Sequence, residues 1–154
     1  MLELINVEKK VQLRLDAVGY QFPEDPHDDW CLIKLHVQQG AKIFKKTDPA
    51  LEATELVRLL SWFECLAENR LPRFSELAFT EPCIGFSFLA YHEGTVRISI
   101  ELDFELKPDF ELEQFGCSHS EWCIVFELTP SDFDNAIRGL TEAIKRHPIR
   151  DIED

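Results

Sequence analysis

Between Val96 and Leu106 every second residue is apolar. Val96, Ile98, Ile100, Leu102, Phe104 and Leu106 alternate with Arg97, Ser99, Glu101, Asp103 and Glu105. Successive side chains of a strand point to opposite faces, so this run reads as a strand with one buried and one wet face. Strands of that kind pair antiparallel, because parallel strands are covered on both sides and are apolar throughout. The run therefore excludes a doubly wound sheet. It also requires that any helices cover the apolar side only.

The rest of the chain fits that frame. Leu2–Val7 is short and apolar, and Val11, Leu13, Leu15 and Ala17 alternate with Gln12, Arg14 and Asp16. A loop from Gly19 to Asp29 holds two prolines, and Cys31, Ile33, Leu35 and Val37 then resume the alternation. Gln38-Gln39-Gly40 marks a turn or bulge, with Ala41–Lys45 as a short continuation. The period then changes to that of a helix: Leu56, Leu59, Leu60, Phe63, Leu66 and Ala67 share one face, and Glu55, Arg58, Glu64 and Glu68 the other. Asp48-Pro49 or Thr54 is the expected start, and Asn69 and Pro72 bracket the end. Glu76–Thr80 and Ile84–Ala90 follow as strands, and His92-Glu93-Gly94 is a hairpin turn. Lys107 to Ser120 reads as a loop and Trp122–Leu128 as a strand. A last helix opens at Thr129-Pro130-Ser131 with a capping box and carries Phe133, Ala136, Ile137, Leu140 and Ile144 on one stripe. The expected fold is α+β over 1–154 as one domain. An antiparallel sheet of about six strands carries two helices packed on one face, in the order β-β-β-α-β-β-β-β-α.

The outward residues of that sheet are Arg14, Asp16, Lys34, His36, Gln38, Arg97, Ser99, Glu101, Asp103, Glu105 and Glu127. They would face solvent or a partner, including a second copy in a homodimer formed through the open sheet face. Charge narrows the partner. The chain of 154 residues has 16 Lys and Arg against 29 Asp and Glu, a net of −13. Nucleic acids and anionic membranes both need a basic patch, so neither is expected to bind, and a basic protein is. The acids also cluster. Glu24, Asp25, Asp28 and Asp29 crowd one loop around His27, and Glu101, Asp103, Glu105, Asp109, Glu111 and Glu113 follow one another with Phe104, Phe110 and Phe115 between them. Glu101, Asp103, Glu105, Glu24, Asp25, Asp28 and Asp29 are the candidate partner-binding residues. On one strand face, Glu101, Asp103 and Glu105 would stand about 6.5–7 Å apart, a spacing suited to acid–base work on a sugar, but an open sheet face supplies no cleft.

Signals for chemistry are sparse. The chain has no G-x-S-x-G, HExxH, P-loop or G-x-G-x-x-G pattern. Cys117, His119 and Cys123 could supply thiolate and imidazole to zinc, but not at the spacing of a zinc knuckle. Nor does their acidic loop favour a reactive thiolate. No catalytic residue, metal or cofactor is expected. Cys31, Cys65 and Cys83 sit in apolar runs as small buried hydrophobes, and five irregularly spaced cysteines are not a disulfide framework. The start of the chain lacks a signal peptide and no apolar run approaches a membrane span, so a cytoplasmic location is expected.

Two stretches, Phe44-Lys-Lys-Thr-Asp-Pro-Ala-Leu51 before the first helix and Leu77-Ala-Phe-Thr-Glu-Pro-Cys-Ile84 before a strand, together with the order of elements, resemble the WapI-type bacterial immunity proteins. The resemblance implies a non-catalytic cytoplasmic protein that neutralises a cognate toxin, in some cases a nuclease, by protein–protein binding without a cofactor, and the acidic balance agrees with it. The residues leave two alternatives open. One is a small enzyme with a site between helices and sheet using His36, His92 or Cys117. The other is a phage-type accessory subunit that oligomerises through its wet sheet face.

Overall fold

The computed structural model describes residues 1–6, 8, 10–112 and 122–150. Glu113, Phe115, Cys117 and His119 lie outside the described residues. The chain runs through four strands and a helix, then does so again. The first set is β1 (Leu2–Asn6), β2 (Val11–Tyr20), β3 (Trp30–Gln39), β4 (Lys42–Glu52) and α1 (Ala53–Ala67). The second is β5 (Glu76–Leu77), β6 (Ile84–His92), β7 (Thr95–Leu102), a 3-10 turn at Phe104–Leu106, β8 (Trp122–Leu128) and α2 (Pro130–Arg146).

All strand pairs are antiparallel, as one-sided alternation requires. They form two four-stranded sheets, β1-β2-β3-β4 and β5-β6-β7-β8, rather than one sheet of about six strands. Where the two meet, β1 lies beside β8 without a ladder, and the Asn6 side-chain amide donates to the Val125 carbonyl across the gap. One apolar cluster nevertheless spans both sheets and both helices. At its centre Phe63 of α1 meets Phe86 of β6 and Phe133 of α2 edge-on, with ring centroids 6.0 and 6.1 Å apart. Edge-to-face rings add to the burial of their large apolar surface.

Local chemistry explains most boundaries. Glu93 and Gly94 both adopt positive φ, +46° and +85°, which the tight turn between β6 and β7 requires. At the head of α2 the Thr129 hydroxyl accepts the Asp132 N–H and the Asp132 carboxylate accepts the Thr129 N–H, so the box lies two residues before the one that Ser131 and Asp134 would form. Three boundaries differ from expectation. β4 runs on through Asp48-Pro49, which is tolerated because it is an edge strand and proline cannot donate to a ladder. α1 then begins at Ala53 with no intervening loop. And β7 stops at Leu102, four residues short of the alternating run.

Gly139 shows how closely the halves approach. A Cβ there would lie 2.0 Å from the Met1 carbonyl oxygen and 2.6 Å from its carbon. Helix propensity alone would make Gly139→Ala stabilising by about 1 kcal/mol. The collision reverses the sign, and the variant is expected to be destabilised by roughly 1–3 kcal/mol. Chemical denaturation measures it, and a higher midpoint would contradict this packing of α2 on β1.

Candidate partner-binding surface

Beyond Leu102 the chain leaves the sheet. Asp103 turns its carboxylate back to accept the Phe104 N–H at 2.8 Å, capping the 3-10 turn. Phe104 sits at φ +48°, a region that costs a bulky side chain strain, and its ring is 65% exposed rather than turned into the core. Glu101, Asp103 and Glu105 are all exposed, but they do not share one strand face, since only Glu101 is in the strand. The turn creates the cleft that a flat sheet lacks. A groove of about 250 Å³ opens there, lined by Phe79, Pro82, Glu101, Asp103 and Phe104 among others.

The loop between β2 and β3 is held from the far end of the chain. The Arg150 guanidinium donates to the carbonyls of Phe22 and Pro23, each at 3.0 Å, and to that of Asp25. It also lies 3.6 Å over the Tyr20 ring. These contacts leave Glu24 and Asp25 exposed. Asp29 is different from its neighbours. It is 6% exposed, its Oδ1 accepts the Arg150 N–H at 2.8 Å, and its carbonyl accepts the Ala53 N–H. Asp29 is therefore an internal brace and not a surface carboxylate. Asp28 is half-buried, its Oδ1 accepting the Trp30 N–H.

Folding brings in carboxylates that the sequence reading left aside. Glu55 belongs by periodicity to the wet side of α1, yet it is 3% exposed. One of its oxygens accepts the Glu52 N–H at 2.9 Å and the other the Thr80 N–H at 2.8 Å. That second bond pins the Phe79 segment, one wall of the groove, to the head of α1. Burial pushes the Glu52 carboxyl above its ordinary range, and the charges of Glu55, Asp29 and Asp28 push it further. Asp48 is likewise raised, by burial and then by Glu105. Asp48, Glu81 and Glu105 all act on the Cys83 thiol, which burial raises. Glu52 thus lies in the field of Asp28 and Asp29, and Asp48 in that of Glu105, so the end of β4 carries an acidic band between the two clusters. Mutual repulsion within such a band is relieved by a bound cation.

A model of the immunity protein WapI-like family matches residues 4–148. The chain belongs to that family. No curated protein and no solved structure matches it.

In this WapI-like protein the two histidines of the enzyme alternative stand in different sheets, and its Cys117 lies outside the described residues. His36 lies on the outward side of β3 and His92 at the end of β6, its Nδ1 3.9 Å from Glu127. Neither lines the groove, and the space between helices and sheets is filled by the apolar cluster. Among the described residues no group of three His, Cys, Asp or Glu is placed to hold a metal. Cys31, Cys65 and Cys83 are free thiols, and burial, with Asp29 adding, pushes Cys31 up to about 11. Cys123 takes part in a disulfide, which departs from the expectation of none. No described helix is long and apolar enough to cross a membrane.

Arg150→Lys should loosen the acidic loop despite keeping the charge, because an ammonium matches neither the three-carbonyl fork nor the ring. The expected cost is about 1–2 kcal/mol, with faster proteolytic cleavage between Phe22 and Asp28 in native buffer; unchanged cleavage would remove the clamp. A carboxyl whose pKa is higher folded than unfolded opposes folding once pH rises past the folded value. Asp48→Asn is therefore expected to raise the melting temperature at pH 7 and to lose that gain below about pH 4. Thermal melts at the two pH values check it.

Proposed function

We propose that this chain neutralises a cognate toxin domain by laying its acidic band over a basic surface of that domain. It acts in the cytoplasm, without catalysis and without a cofactor. Family membership supports the toxin as partner, and the chemistry of the surface supports a basic one. The observation that carries the reading is Phe104. An exposed aromatic ring, held in a strained conformation between Asp103 and Glu105 above a groove, is a preorganised anchor that a solvated surface does not need. Glu101 and Asp103 would take lysine or arginine side chains entering the groove. Glu105, Glu24, Asp25 and Asp28 would steer the approach. Asp29 would act only by shaping the loop. A nuclease fits such an inhibitor well, because its own substrate-binding surface must be basic.

The test is binding to the purified toxin domain by calorimetry and stopped flow. Glu101→Lys with Asp103→Lys is expected to weaken binding by roughly a hundredfold or more, since buried charge pairs at interfaces couple by several kcal/mol. Phe104→Ala should act on the dissociation rate. Affinity that stays constant as salt is raised, or that survives the double reversal, would overturn the reading.

A further inference from the structure

The outward face of the first sheet has the opposite sign from the rest of the molecule. Cross-strand pairing lays Glu3, Arg14, His36 and Lys45 in one row across β1 to β4. Asp16, Lys34 and Thr47 form another. Both carboxylates in these rows are engaged. Glu3 holds the Arg14 Nε at 3.3 Å, and Asp16 holds Arg146 at 2.8 Å. Lys34 and Lys45 are exposed, and among the described residues neither reaches a carboxylate. His36 reports their convergence: burial lowers its imidazole pKa, and Lys45, Arg14 and Lys34 lower it further. Beyond the Arg14 row, on the side away from Asp16, runs a third, Ile5, Gln12, Gln38 and Ile43, whose two isoleucines are 52% and 49% exposed.

A cluster of uncompensated cations on a chain of net charge −13 attracts anions at short range while the whole molecule repels them at long range. A nucleic acid suits this poorly. It extends its charge well beyond the patch, and the three rows offer no Phe, Tyr or Trp ring on which bases could stack. A short segment carrying alternating acids and apolar residues matches both the cations and the isoleucine row. We propose that the outward face of β1 to β4 docks an acidic protein segment, with carboxylates on Lys34 and Lys45 and apolar side chains on Ile5 and Ile43. This surface shares no residue with the groove beneath Phe104, so the protein has two docking poles of opposite charge.

The experiment uses the full chain and a labelled peptide of alternating glutamate and valine at low ionic strength. Binding is read by fluorescence anisotropy and by the NMR titration of His36. The expected result is saturable binding that raises the His36 pKa, weakened at least about tenfold in Lys34→Glu with Lys45→Glu and not weakened in Glu101→Lys with Asp103→Lys. Both lysines are exposed, so circular dichroism and melting temperature should not change. The proposal fails if the peptide does not bind or if the lysine reversal leaves affinity unchanged. It also fails if a DNA oligonucleotide of equal charge binds more tightly, or if sedimentation shows a second copy of the chain occupying the face. Loss of toxin binding in the Glu101 and Asp103 variants with peptide binding intact separates this surface from the toxin-binding one.

Discussion

The carboxylate of Glu55 is the point on which the arrangement of the acidic band depends. Burying an ionised group costs several kcal/mol unless it is bonded on both oxygens, and here each oxygen accepts a backbone N–H. One bond stops β4 and starts α1 within a single residue. The other holds the segment after β5 against the head of that helix. The groove wall at Phe79 and the half-buried Glu52 take their positions from those two bonds, so the first half of the chain sets the shape of a site whose most exposed residues belong to the second.

Charge is partitioned rather than spread. Burial and neighbouring carboxylates raise the pKa of Glu52 and Asp48 on β4, and the first sheet turns Lys34 and Lys45 outward on its other side. Leaving Lys34 and Lys45 out of the ion pairs that Arg14 and Arg146 make gives up contacts that are each worth little at a surface. In exchange, each pole retains a field that can steer a partner.

Much of the architecture is legible in the residues. Antiparallel pairing, both helices, the Glu93-Gly94 turn and the cap at Thr129 follow from periods of two and 3.6 and from a few turn and cap chemistries. The misreadings have identifiable causes. Asp48-Pro49 is a good helix start, but an edge strand also accepts proline. Glu55 looks solvent-facing because periodicity does not register a buried group that is satisfied by backbone donors from another segment. Arg150 gives no local signal at all, because the carbonyls it binds lie more than a hundred residues earlier.

The sequence by itself determined the class of fold, the acidic balance and the identities of Glu101, Asp103 and Glu105 as exposed carboxylates. These are properties of composition and of local period, which a residue carries wherever it is placed. Only the tertiary structure decided that the strands divide into two sheets, that Phe104 leaves its strand and stands over a groove, that Asp29 is a brace, and that Arg14, Lys34 and Lys45 share one face. Each of those depends on contacts between residues far apart in the chain, and neither alternation nor charge counting reports on such contacts.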